Sequence, residues 1–139
     1  MENIEIGAKP LLYPMPAALV GANVQGKPNF ITIAYCGIVC PKPPVVSVAM
    51  NNIHYANSGI KENGTFSVNI PSVQMAVVTD YCGIFSGHKV DKSRLFDTFY
   101  GKLGIAPMIR ESPLNLECKL TQVHQLGNHD VFWGEIIAV

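Results

Sequence analysis

Short runs rich in β-branched and aromatic residues recur along the chain, each bounded by glycine, proline or asparagine. Runs of that length with that punctuation predict the strands of a barrel or sandwich, not the alternating strands and helices of a parallel sheet. Six strands are expected, over Ala17–Asn23, Asn29–Val39, Val45–Met50, Thr65–Ile70, Cys118–Gln125 and Val131–Ala138. The first two are joined by Val24-Gln25-Gly26-Lys27-Pro28, where Gly26 supplies a positive φ and Pro28 bars pairing at the turn. Pro41-Lys42-Pro43-Pro44 breaks the second strand from the third.

Helical spacing interrupts the strands twice. Asn57–Asn63 reads as a short helix capped by Asn57 or Ser58 and stopped by Gly64. A second helix, capped by Ser72 and ending before Gly83, sets Val73, Ala76, Val77, Asp80 and Tyr81 on one face, which reads mostly as core packing. Arg94–Gly104 reads as a helical turn followed by a loop over the barrel. The last strand runs to Val139 with no cap or turn, so either the natural chain continues or a partner completes an edge strand.

At 139 residues the chain is expected to be one domain, large enough to fold without metals or disulfides. Ten basic and ten acidic residues cancel, with no basic tract, which argues against nucleic-acid binding. A hydrophobic content of 48% implies apolar surface that a homodimer would cover. Met1–Ile6 is too polar for a secretory signal, and the longest apolar run, Phe30–Cys40, is too short to span a membrane, so a soluble, cytoplasmic protein is expected. Cys36, Cys40, Cys82 and Cys118 then read as buried free thiols, or else as redox groups: Cys36 and Cys40 lie roughly 13 Å apart along a strand, too far to share one metal ion without a bend at Gly37.

Four places could carry chemistry. The loop Ser86-Gly87-His88-Lys89-Val90-Asp91-Lys92 combines a turn-forming glycine with two lysines, a pattern that suits an anion or an ordinary solvated turn. In Asn29–Tyr35, Thr32 and Ala34 share a face whose small side chains leave room for a flat ligand, or simply pack well. Asn51-Asn52-Ile53-His54-Tyr55 opens a helix, where N–H groups favour an anion. His129 is expected at a hairpin tip, able to orient a substrate or move a proton. There is no G-x-G-x-x-G after a strand, no P-loop and no G-x-S-x-G.

Pro14–Val20, Gly26–Ala34, Pro43–Ala49, Ile60–Asn63, Phe66–Pro71, Ser86-Gly87 to Asp91-Lys92, Leu116–Lys119 and Gly127-Asn128-His129 together resemble, in order and over nearly the whole chain, the flavin reductase-like family. That family includes flavoredoxins and the small reductase components of flavin-dependent monooxygenases. The resemblance implies a mainly β, six-stranded Greek-key split β-barrel with two or three short helices, binding FMN near the interface of a homodimer. It implies that Asn29, Thr32, Ile33, Ala34, Tyr35, Ser47, Ala49, Asn51, His54, Tyr55, Ser86, Gly87, Lys89 and Lys92 hold the cofactor. His129 would face NAD(P)H or the electron acceptor as the catalytic-side residue, and no metal is implied. Two departures stand out: His54-Tyr55-Ala56 replaces the family's usual Arg-Tyr-Thr or Arg-His-Thr, leaving Lys89 and Lys92 to compensate, and family members usually continue past the final strand. The implied activity is an NAD(P)H-dependent flavin reductase. The alternatives are an FMN electron carrier without a nicotinamide site, or a non-catalytic barrel for another ligand such as haem, for which His54, His124 and His129 are available.

Overall fold

In the computed structural model, which describes residues 1–139, Gln25 (φ 52°) and Gly26 (φ 76°) form the whole turn between β1 (Ala18–Val24) and β2 (Lys27–Ile33). Two successive positive φ angles match the twist of the flanking strands. Pro28, expected to bar pairing, instead lies in the ladder opposite Asn23, which is possible because β2 is an edge strand. The single strand expected over Asn29–Val39 is two strands. After β2 the chain bends at Ala34-Tyr35 and continues as β3 (Cys36–Pro41), which pairs with β4 (Pro44–Asn51). With β5 (Thr65–Ile70), β8 (Leu114–Leu126) and β9 (His129–Ala138), these strands form an antiparallel sheet in the order β2-β1-β5-β8-β9-β4-β3. β2 and β3 are therefore consecutive in sequence yet sit at opposite ends of the sheet. The Ala49 N–H donates to the Tyr35 carbonyl at 2.8 Å, joining the two ends into a split barrel.

Alternate residues fill the barrel. Val20 and Ala22 of β1, Ile31 and Ile33 of β2, Val46, Val48 and Met50 of β4, Phe66 and Phe132 form the inner core, with Ala56 and Ile60 of α1 (Tyr55–Asn63) packed among them. The outer face of β1 and β2 is buried as well: Leu19 and Phe30 meet Met75, Cys82, Phe96 and Ile109. That second core lies under α2 (Ala76–Ile84), entered through a 3₁₀ turn at Val73–Met75, and beside the hairpin of β6 (Thr98–Tyr100) and β7 (Pro107–Ile109). The helical turn expected in Arg94–Gly104 is thus strand β6. The α2 face expected to pack inward also proves to be the outer one: Val73 and Val77 are 88% and 84% exposed, while Met75, Thr79 and Cys82 are buried. No helix is long and apolar enough to cross a membrane.

The final strand is not an edge, since β9 lies between β8 and β4. Its first residue is His129, which pairs with Leu126 and Asn51, so the histidine expected in a turn is fixed in the sheet. Glu117, wholly buried on β8, accepts the backbone N–H groups of Lys102 and Leu103, both at 2.8 Å, and so pins the loop after β6. Cys82 and Cys118 are buried free thiols, and burial beside Glu117 pushes Cys118 up to about 12; Cys36 and Cys40 are only half-buried. A Cβ at Gly134 would lie 2.5 Å from Cζ of buried Phe66, whereas one at Gly37 meets nothing within 4 Å. Gly134→Ala is therefore expected to cost about 1–3 kcal/mol in urea unfolding, and Gly37→Ala to fall well short of that.

Candidate functional site

The bend after β2 opens a cleft of about 260 Å³ between Thr32–Tyr35 on one side and Ala49–Asn51 on the other, closed by Met15, His54 and His129. On β4, Val46, Val48 and Met50 are buried, which leaves Ser47, Ala49 and Asn51 on the opposite face. The register places Asn51 beside His129, Ala49 beside Val131 and Ser47 beside Trp133. Ala34 and Ala49 make the walls shallow. Ser47 lies outside this cleft. Thr32 forms part of the wall, but its hydroxyl donates to the Thr79 carbonyl at 2.5 Å, so that proton is committed to α2.

Polar contacts hold the histidine side of the cleft. The Asn51 side chain accepts the Ile53 N–H at 3.2 Å and its carbonyl accepts the His54 N–H at 3.0 Å, a local turn that brings the chain into α1. Asn57, read from the sequence as a cap, is buried within α1. Its amide donates to the Asn51 carbonyl and to Asp130 Oδ2, each at 3.0 Å, and Lys61 Nζ reaches the same carboxylate at 2.8 Å. Burial pushes the Asp130 carboxyl up, but its hydrogen bonds from Lys61 and Asn57 and the Lys61 charge outweigh that and hold it below its ordinary value. His129 shares a 2.7 Å hydrogen bond with Asn128 Oδ1, and its ring lies 5.8 Å from that of Tyr35. His54 is held below its ordinary pKa of 6.5 by burial first, then by the charges of His129 and Lys92.

A second cleft of about 290 Å³ takes in Lys27, Asn29, Tyr55 and residues 87–92. Here the Ser86 carbonyl accepts the N–H groups of Lys89 (2.9 Å) and Val90 (3.1 Å), and its hydroxyl accepts that of His88 (3.2 Å). Gly87 closes the floor: a Cβ there would lie 2.5 Å from both Asn29 Oδ1 and Tyr55 Cδ1. The His88 and Tyr55 rings pack edge to face at 4.8 Å. Lys89 is exposed, and Lys27 pairs with Asp91 at 3.7 Å at the surface. Lys92 departs from expectation. It is 2% exposed, and its Nζ donates to the carbonyls of Phe30 (3.1 Å) and Cys82 (3.0 Å). Burial lowers its pKa. The ammonium caps the last turn of α2 and ties it to β2, so Lys92 supports the loop from within and does not present a free charge to a ligand.

The expected residues thus divide between a flat cleft (Thr32–Tyr35, Ala49, Asn51, His54, His129) and a polar one (Asn29, Tyr55, Gly87, Lys89). The step from His54 to Tyr55 and the length of β2 connect them. Met15 and Lys27 escaped the sequence reading, although both stand in stretches that carry the resemblance; neither has a spacing signal, because each reaches the site from a separate segment. His124 lies on the outer hairpin, its ring 5.0 Å from that of Trp133.

A split barrel with a shallow cleft at the strand bend and a glycine-floored polar cleft beside it belongs to the flavin reductase type of β domain. Residues 11–139 match the flavin reductase like domain, and the chain belongs to that family. It is 48% identical to a flavoredoxin from Methanosarcina acetivorans, with a TM-score of 0.96 over 99% of this chain and 74% of that one. With the flavoredoxin of Desulfovibrio vulgaris (Miyazaki F) it shares 35% identity and a TM-score of 0.88, over 99% of this chain and 75% of that one. Among curated relatives, the FMN reductase (NADH) RutF of Pseudomonas syringae is 27% identical over 82% of this chain and 62% of its own length.

Two expectations concern the scaffold. Lys92→Ala leaves a cavity and two buried carbonyls short of a donor, and is expected to lower unfolding free energy by about 2–4 kcal/mol. Because His54 binds its proton more weakly in the folded chain, the unfolded state takes up more protons as pH falls below 6.5. Wild-type stability should therefore drop relative to His54→Gln between pH 8 and pH 5, measured by denaturant unfolding; parallel pH profiles would contradict the placement of His54.

Proposed function

We propose that the chain is an FMN-binding oxidoreductase that passes electrons from NAD(P)H through FMN to a second acceptor. The observation that carries this reading is the meeting of Ala34, Tyr35, Ala49, His54 and His129, drawn from separate segments, around one flat cleft adjoining a polar one. The residues fit the cofactor. Alanine walls let a planar ring approach the backbone, and the floor at Gly87 has no room for a side chain. Lys27, His88 and Lys89 line the polar cleft or its rim and would hold a phosphate, with His54 at the junction. When bound, the isoalloxazine supplies the redox chemistry, accepting electrons from one substrate and releasing them to another. The chain's own part is to fix the ring against Ala34 and Ala49, to balance the phosphate charge, and to set His129 and Tyr35 where a donor or acceptor would approach.

The homodimer and the cytoplasmic setting belong to the same proposal; the exposed Val73 of the 3₁₀ turn and Val77 of α2 supply apolar surface that a second copy would cover. A second reading has its own support. The 48% identity is to a protein called a flavoredoxin, which favours an electron carrier reduced by a protein partner, without a nicotinamide site.

FMN titrated into the purified chain should lose its fluorescence at micromolar protein, and denaturation should release FMN, not FAD; no quenching would reject the proposal. Lys89→Ala should weaken FMN binding about tenfold, or ~1.4 kcal/mol, and leave riboflavin binding unchanged, since only FMN carries the phosphate. In single-turnover reduction by NADH or NADPH, His129→Ala should slow the reaction about tenfold while FMN affinity stays within about threefold. Wild-type protein that binds FMN but is not reduced by either nicotinamide would select the carrier reading.

A further inference from the structure

Beyond the flat cleft lies a larger cavity, of about 670 Å³, built by the segment that precedes β1. Residues 9–16 cross in front of the β2–β3 bend at the surface and, with Ala34, Tyr35 and Cys36, line an open groove in which Leu11 and Leu12 are exposed. Met15, Ala34 and Tyr35 line this cavity and the flat cleft alike, so the two spaces meet across a wall three residues wide. The chemistry of the walls differs from that of the polar cleft. Leu11, Leu12, Pro10 and Pro14 give an apolar surface, and Tyr35 supplies an exposed aromatic ring. Lys9 is the one charged residue in the lining, and no carboxylate faces it there.

These features restrict the occupant. A dinucleotide would bring a pyrophosphate that a single lysine and a lining without glycine are poorly made to hold. A sugar would leave its hydroxyls without partners among leucine and proline. A flat apolar ring satisfies the walls by stacking on Tyr35 and contacting the Met15 thioether, and one carbonyl oxygen suffices for Lys9. We propose that this cavity binds flat, apolar ring compounds bearing a carbonyl, of the quinone class, and that they are the acceptor in the function proposed above. Reduction of such a quinone to the hydroquinone takes up two electrons and two protons. Reduced flavin in the adjoining cleft provides both electrons and is itself oxidised by two, and the protons come from the reduced flavin and solvent. The acceptor role rests on the flavin reading; the binding site does not.

The test uses the intact chain and 2,3-dimethyl-1,4-naphthoquinone, whose substituted ring resists addition of the nearby Cys36 thiol. Amide chemical shifts are followed by NMR with and without FMN. Shifts are expected at Leu11, Leu12, Tyr35 and Cys36 in both forms. Replacing Leu11 and Leu12 together by serine should weaken quinone binding at least tenfold and leave FMN affinity within threefold, and Lys9→Met should weaken it several-fold. Quinone shifts confined to Ala49, His54 and His129 and abolished by FMN would place the compound in the flat cleft and overturn the assignment. Unchanged affinity in the double variant would do the same. If the quinone binds as described and FMN does not bind at all, the site stands and the flavin reading falls.

Discussion

Residues 27–41 hydrogen-bond at both ends of one seven-stranded sheet, and the bend that allows this creates the place where a ligand can approach the backbone. β2 pairs with β1 through its whole length, and β3 pairs with β4. A chain cannot serve both partners while straight, so Ala34 and Tyr35 leave the ladder between them, and the hydrogen bond from Ala49 to Tyr35 holds the junction. The cleft is the outer side of that junction. Its small walls follow from alternation, because the large residues of β4 are already spent on the barrel interior.

Three buried charged side chains then fix what surrounds the junction. Lys92 joins α2 to β2 beneath the Ser86–Lys92 loop; Asp130 joins the tip of β9 to α1 through Asn57 and Lys61; Glu117 holds the loop after β6. Each has hydrogen bonds that offset the cost of removing charge from water. Lys92 and Glu117 also fix irregular backbone that no strand pairing would hold. The polar cleft therefore has a rigid floor at Gly87, and its accessible cations stand at the rim, Lys89 unpaired and Lys27 in a surface pair with Asp91.

Much of this was legible in the residue order. Strand runs, the Gly64 stop and the family's sequence of short pieces carried the mainly β architecture, and the small face at Thr32 and Ala34 marked the bend region. What pattern could not show was direction. Val73 and Val77 share helical spacing with a core face, but α2 is apolar on both sides, and packing on β2 chose Met75, Thr79 and Cys82. Lys92 had the chemistry of a phosphate ligand and turned inward because two carbonyls, sixty-odd and ten residues away, needed a donor. His129 looked like a turn residue because Gly127-Asn128 precedes it, yet pairing with Asn51 draws it into β9.

Hydrogen–deuterium exchange with and without FMN tests the central claim most directly, because it reports on every segment of the site at once. Bound FMN is predicted to protect residues 32–35, 49–55 and 86–91 together, and to leave the exposed side of α2 and the β6–β7 hairpin unchanged. Protection confined to any other part of the barrel, or none at saturating FMN, would contradict it.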